Sequence, residues 1–364
     1  IEDTGGLFVA VEGDDEAYIA EFPHLCAKSH LPVKELDVKQ AREMEPALST
    51  KTIAAFQVQD ASIGPFKLSM ENIHQAMRLG CSLLRHSRVV GFQTEKQQIR
   101  ATKLKNLLTG ESFLVEADQV VNASGAWAKE IAALAGCQID LLYSKGSLLV
   151  THNRLTQRVI NRLRPSSNAD ILVPGGTVSI LGTTSIRIDN LEAIFPTVTE
   201  IDAIVGEGAA MIPELEMTRY IRAYAGVRPL VGTASEEGGR HLSRSFTLID
   251  HARDRLENFA TITGGKLTTY RLMAEKTADL VCAKLGVSKP CITRTEPLPT
   301  APATRWTKPG IAPKLWIKHK DPEDLLLCEC EMVPKSVVRN LAHSIHEQNG
   351  KPDLVALGLR SRIG

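Results

Sequence analysis

The chain has 364 residues, 43% of them hydrophobic, with Lys+Arg 43 against Asp+Glu 42 and a formal net charge of +1. That is the balance of a globular protein of a little over two domains at roughly 150 residues per domain, with no global field for nucleic acid or an anionic membrane. No apolar run reaches the ~18 residues of a membrane span, and seven sparse cysteines suit a reducing compartment better than a disulfide framework. The chain opens at Ile1 without Met and stops at Gly364, and reads as a piece of a longer protein.

Gly6–Val11 reads as a strand, and a charge-rich helix around Asp37–Glu45 is ended by Pro46. A helix after Gly64-Pro65 carries Ile73 and Met77 on one face and stops at Gly80. Cys81–Phe92 reads as a strand. Lys103–Leu107 and Phe113–Val115 are antiparallel strands joined at Thr109-Gly110. Asp118–Gly125 is a strand running into a glycine turn. The helix after it has Trp127, Ile131 and Leu134 as its apolar face and closes at Gly136. From about 143 to 231, Ser147–Thr151, Asp170–Val173, Thr177–Gly182 and Tyr220–Tyr224 predict a second, largely antiparallel sheet with one helix near Glu200–Met211. Phe259–Thr263 is again a strand, Gly264-Gly265-Lys266 a turn, and Tyr270–Leu285 a long helix ending at Gly286. Five prolines between 297 and 313 mark an extended linker before Leu327-Cys328-Glu329-Cys330 and a small helical unit.

The junctions Val120–Trp127 and Ile262–Tyr270 stand on either side of the middle sheet. Each places small residues and unpaired backbone N–H groups at a helix start, where an anion or a polar ring edge is stabilised. Either alone reads as a tight turn. Together, with an antiparallel domain between them, they form the arrangement a flavin requires: one domain cradles the nucleotide and the other covers the reactive face of the ring. Val120–Val121 and Phe259–Thr263 are therefore expected to be parallel neighbours in one sheet, feeding glycine turns at the same ligand edge.

The residues themselves resemble a family. Val121-Asn122-Ala123-Ser124-Gly125-Ala126-Trp127, Ala225-Gly226-Val227-Arg228-Pro229-Leu230 and Thr263-Gly264-Gly265-Lys266-Leu267-Thr268-Thr269-Tyr270-Arg271 are similar to the FAD-dependent glycerol-3-phosphate dehydrogenases, which are D-amino-acid-oxidase-like flavoproteins. The resemblance runs from residue 1 to about 290. Lys145–Leu149, Ile171–Gly175 and the C-x-C after the Pro-rich stretch look like the large subunit of the anaerobic enzymes, with its ferredoxin-like extension.

The resemblance implies an α/β fold, a two-domain FAD-binding (Rossmann-like) flavoprotein with an antiparallel substrate domain and a small C-terminal ferredoxin-like helical unit. The substrate domain is expected at 1–64 and 143–240, the FAD-binding domain at 65–142 and 241–290, the Pro-rich linker at 291–324 and a partial [2Fe–2S] domain at 325–364. The family's G-x-G-x-x-G opening is absent from this sequence. The chain is therefore expected to start about one βαβ unit into the family fold and to end before a second cysteine pair.

By resemblance, the activity is oxidation of sn-glycerol 3-phosphate to dihydroxyacetone phosphate. Hydride passes to the flavin, and partner subunits carry electrons to membrane quinone in glycerol catabolism. Arginine forks suit a phosphate dianion, and a lysine serves as a point charge. The resemblance assigns substrate to Arg228, Arg244 and Lys266, with Arg228 nearest the reacting hydroxyl. It assigns FAD to Val89, Ala123, Gly125, Trp127, Gly226, Gly264, Gly265, Lys266, Leu267 and Thr268, and half of a [2Fe–2S] ligand set to Cys328 and Cys330. The helix starting near Thr269 is expected to aim its positive end at the flavin's pyrimidine edge. His152, His241 and His251 are candidate proton acceptors, and none is assigned. The implied location is cytoplasmic, peripheral on the cytoplasmic face of the inner membrane, with no nucleic-acid partner.

Without the family, the three cations read as solvated surface charges and the cysteine pair as ordinary thiols. Two rivals stand beside this reading. One is an amine or hydroxy-acid oxidase on the same fold, which needs a single carboxylate-binding arginine. The other is a non-catalytic fragment that no longer binds FAD and only engages partners.

Overall fold

The computed structural model describes residues 1–192, 194–232, 245–298, 321–328, 333–347 and 350–361. The chain begins with β1 (Gly6–Val11), α1 (Glu16–Lys28), β2 (Val33–Leu36), α2 (Val38–Met44) and β3 (Thr52–Val58). Next come α3 (Pro65–Arg78), β4 (Ser87–Glu95), β5 (Gln98–Asn106), β6 (Ser112–Glu116), β7 (Val120–Asn122) and α4 (Ala128–Leu134). The middle holds β8 (Leu141–Thr151), β9 (Val159–Arg162), β10 (Ile171–Gly175), β11 (Val178–Gly182), β12 (Ile186–Ile188), α5 (Val198–Met211) and β13 (Tyr220–Val231). Then follow β14 (Phe246–Asp250), β15 (Phe259–Gly264) and α6 (Tyr270–Lys284).

Local chemistry sets the helix starts. The Asp15 carboxylate accepts from the N–H groups of Ala17 and Tyr18 at the head of α1. Pro65 stands in the first turn of α3, where its missing N–H costs nothing. Thr197 and Glu200 form a reciprocal capping box at α5.

Among the described residues, nine strands form one sheet in the order β12-β8-β11-β10-β9-β1-β3-β2, with β13 also paired to β8. Its pairings are antiparallel except β1 with β9. Leu7, Val9, Leu149, Ile160, Leu172 and Leu181 are buried with Ile204 and Met211 of α5 and with Ile212 and Leu215 after it. Each such side chain contributes about 1.5–3 kcal/mol through removal from water.

A second sheet, β14-β15-β7, holds both glycine junctions. β15 and β7 are parallel neighbours, with Phe259 opposite Val120 and Thr261 opposite Asn122. Both strands therefore deliver their glycine turns to the same sheet edge, as the sequence predicts. A third sheet, β4-β5-β6, joins them through a core of Ile99, Ala128, Ala132, Leu141, Tyr143 and Phe259.

The structure corrects several readings. The strand expected over 81–92 begins at Ser87 and ends at Glu95, while Leu83 and Leu84 lie exposed ahead of it. The helix after Gly125 does not bury Trp127 and Leu134, which are 54% and 45% exposed. It buries Ala128 and Ala132, because α4 approaches β15 and β4 closely and only small side chains fit. Strands β8 and β13 are longer than read, each extending toward the second sheet.

Of the Pro-rich stretch, residues 299–313 lie outside the described residues. In the tail, Leu326–Cys328 pairs with Val333–Pro334, followed by helices Lys335–Glu347 and Leu354–Ser361 that bury Ile345 and Leu357. Among the described residues, no helix is long and apolar enough to cross a membrane.

Candidate functional site

Three elements converge at one edge of the molecule: the end of β15, the 3-10 turn Gly125–Trp127 after β7, and β13, which contacts both. Asn122 fixes the turn after β7. Its amide donates to the Ala128 carbonyl at 2.9 Å and to Thr261 Oγ1 at 3.3 Å, while Ser124 Oγ donates to its Oδ1 at 2.6 Å. The Asn-x-Ser-Gly run is thus a side-chain lock that ties the helix start to the neighbouring strand.

After β15, Gly264 and Gly265 adopt φ of 78° and 79°. A Cβ at Gly264 would lie 2.7 Å from the Ser245 carbonyl oxygen and 3.3 Å from Val231 Cγ2 at the end of β13. Only glycine makes this turn.

Open space lies in front of the same elements. No atom stands within 4 Å of where a Cβ would project from Gly125 or Gly226. Thr263 Oγ1 is buried and makes no hydrogen bond. Ala123, Trp127, Lys266, Leu267 and Thr268 are exposed at the two turns. An apolar surface, backbone N–H groups at two helix starts and an orphaned hydroxyl fit a broad, flat, polar-edged ring system such as a flavin. Val89 sits apart from these turns, half-buried at a bulge of β4 opposite Leu104 in the third sheet.

Arg228 lies on β13, opposite Ser144 of β8. Its Nη2 donates to Thr183 Oγ1 at 2.9 Å and its Nη1 to the Thr184 carbonyl at 3.2 Å. The guanidinium lies over Gly146. A Cβ there would run into Nη2 and would be 2.7 Å from Nη1 and 2.6 Å from Thr183 Oγ1, so glycine makes room for the fork and its threonine acceptor.

Behind it is a buried ion pair that sequence reasoning missed. Lys145 Nζ donates to Glu200 Oε2 at 2.8 Å, and Oε2 also accepts from the N–H and hydroxyl of Thr197, both at 2.9 Å. Oε1 accepts from Ser147 Oγ at 2.8 Å and Thr184 Oγ1 at 3.1 Å. Burial pushes the Glu200 carboxyl up, but these hydrogen bonds outweigh it and hold it at about 2. Lys145 is thereby neutralised by Glu200 and is not a free cation at this edge. The only sequence signal for Glu200 was the Thr-x-x-Glu capping box.

The remaining candidates are placed as follows. Arg244, His241 and Cys330 lie outside the described residues, and Cys328 is buried at the end of the strand Leu326–Cys328. His251 is fully buried and engaged at both ring nitrogens, with Asp254 at 2.7 Å and Thr261 at 2.8 Å, and stacks on Phe259. That is a structural histidine. His152 is exposed.

Comparison with known proteins agrees with this geometry. The family model described as FAD dependent oxidoreductase matches residues 1–280. One of the subunits of the anaerobic glycerol-3-phosphate dehydrogenase of Escherichia coli (strain K12) is 38% identical over 385 residues, covering 100% of this chain and 70% of that protein. The glycerol-3-phosphate dehydrogenase of Bacillus halodurans, solved with FAD, superposes with a TM-score of 0.60 at 21% identity, over 98% of this chain and 61% of that one. A glycine oxidase from Bacillus cereus gives 0.61 at 18% identity, over 79% and 74%. The latter two share the fold. With a sheet pair that presents two glycine turns to one open edge and a family match over most of its length, the chain belongs to the FAD-dependent oxidoreductase family.

Proposed function

We propose that the FAD-loaded protein oxidises sn-glycerol 3-phosphate to dihydroxyacetone phosphate. The observation that carries this reading is Arg228: a guanidinium fixed over Gly146 on β13, the strand that touches both glycine-turn elements. The whole-chain identity of 38% to part of an anaerobic glycerol-3-phosphate dehydrogenase supports the substrate.

FAD, when bound, supplies the hydride acceptor. The turns Ala123–Trp127 and Gly264–Thr268, with Gly226 of β13 and Val89 of β4, are the residues that would hold it. Oxidising a secondary alcohol removes a hydride and a proton, and a cation beside the oxygen stabilises the alkoxide character that develops. Arg228 takes that role and grips the anionic substrate. Lys266, at the glycine turn, adds a point charge, and Arg244 completes the set.

In the wider reading, electrons pass through partner subunits to membrane quinone in glycerol catabolism, at the cytoplasmic face of the inner membrane. Cys328 and Cys330 would supply half the thiolates of a [2Fe–2S] cluster in that reading.

The test is Arg228→Ala in the FAD-loaded protein, assayed by dye reduction with sn-glycerol 3-phosphate, glycine and glycolate. Loss of a charge-assisted contact near the reacting carbon should lower kcat/KM for glycerol 3-phosphate about 100-fold with flavin content unchanged. An unaltered kcat/KM removes Arg228 from the site. Faster turnover of glycine or glycolate by the parent protein replaces the phosphate reading with that of an amine or hydroxy-acid oxidase.

A further inference from the structure

We propose that Glu200 is a positioning residue, which sets the Arg228 guanidinium through Thr184. The inference rests on the reading that Arg228 meets the substrate, and it explains a pair that stability alone does not require. Lys145 and Glu200 are 8% and 4% exposed. Burying two charges costs more than burying apolar groups of the same size unless the geometry gives something back. Here it fixes a direction. Thr184 Oγ1 accepts the Ser147 N–H at 2.9 Å, so its single proton is left to donate to Glu200 Oε1 at 3.1 Å.

With its hydroxyl bound from both sides, the Thr184 side chain has one rotamer, which anchors the residue whose carbonyl accepts from Arg228 Nη1 and from the Thr183 hydroxyl, both at 3.2 Å. Thr183 next to it accepts Nη2. The guanidinium therefore rests on a dipeptide that is anchored to the start of α5 through the Thr184 hydroxyl. Lys145 holds the second carboxylate oxygen and bonds the Phe195 carbonyl at 3.0 Å, which keeps the carboxylate from rotating away from Thr184. Glu200 and Lys145 act through Arg228 and touch no reacting atom.

The test is a double-variant comparison in the FAD-loaded protein with sn-glycerol 3-phosphate. Glu200→Gln and Thr184→Val are each measured alone and combined with Arg228→Ala, beside Arg228→Ala alone and Thr184→Ser as the conservative replacement. Thr184→Val should lower kcat/KM about tenfold, mainly through KM, Glu200→Gln should fall as Thr184→Val does, and Thr184→Ser should recover most of the threonine loss. Each double variant should be no worse than Arg228→Ala alone, because a residue that acts only through Arg228 has nothing left to position. Losses that multiply in either double variant, or full activity in Glu200→Gln or Thr184→Val, overturn the proposal. So does a Thr184→Ser as impaired as Thr184→Val, which would mark a packing effect of the methyl group. Full activity in Arg228→Ala alone overturns the substrate reading itself, a distinguishable failure. If Thr184→Val loses flavin, Glu200→Gln carries the same comparison under the same criteria.

Discussion

At the scale of single residues, the site turns on two groups with little freedom. Gly146 is a strand glycine with a contact that forbids a side chain: the Arg228 fork lies where its Cβ would be. The obstructing atoms are side-chain ends, those of the Arg228 fork and the Thr183 hydroxyl at 2.6 Å, and none is backbone, so Gly146→Ala should fold while displacing both. The displaced guanidinium should lower kcat/KM for glycerol 3-phosphate at least tenfold, on the order of the 1.4 kcal/mol that a misplaced charge-assisted contact costs. Unchanged kinetics would show that the fork is not used where it lies. Glu200 gives a pH signature. Its carboxyl is held at about 2 against an ordinary 4.5, so its folded form is the better acid. The stability from this depression is present above the ordinary value and is lost as the pH falls toward 2. The unfolding free energy of the parent over Glu200→Gln, measured by urea titration, should therefore narrow between about pH 5 and pH 3. A gap that stays constant across that range would contradict the assignment.

At the scale of elements, the two glycine turns differ in kind. Gly125, with φ of 62° and no neighbour within 4 Å, is constrained by its own backbone alone. Gly264 combines a φ of 78° with a backbone oxygen 2.7 Å from any Cβ. A side chain there forces β15 and the segment at Ser245 apart. Gly264→Ala should cost the left-handed penalty of about 1–2 kcal/mol plus the clash, and should reduce flavin content together with thermal stability. Gly125→Ala should show the smaller loss of the two. Differential scanning fluorimetry, with flavin absorbance read on the same samples, separates them. Equal losses would mean that the close approach at Gly264 carries no weight.

At the scale of the molecule, β13 is the strand that ties the sheets together. It pairs with β8 from Leu141 to Thr151, and its Val227 and Val231 pack in the core with Phe259 of the second sheet. A ligand seated against β13 and both glycine turns touches both sheets and stabilises them as one unit. Adding FAD should raise the melting temperature in a single transition, by the equivalent of about 2.7 kcal/mol at a hundredfold excess over Kd. A rise confined to one of two resolved transitions would indicate that the sheets melt independently and that β13 does not couple them.

Much of this was legible without coordinates. The strands Gly6–Val11 and Phe259–Thr263, the turn at Gly264-Gly265 and the helix from Tyr270 each follow from a local pattern, and local patterns act over a few residues. The parallel pairing of β7 with β15 was legible because both run into glycine turns. The β4–β5 hairpin was harder to read, since Lys96 and Gln97 take positive φ without the Asn-Gly signal that usually marks such a turn. The apolar face of α4 was misread, because periodicity counts large side chains whereas the close approach of β15 and β4 selected Ala128 and Ala132. Lys145 and Glu200 lie 55 residues apart, and Arg228 and Thr184 lie 44 apart. No one-dimensional pattern records such a meeting: it exists only once β8, β13 and the start of α5 are packed, with a buried charge made tolerable by the partner that the fold brings to it.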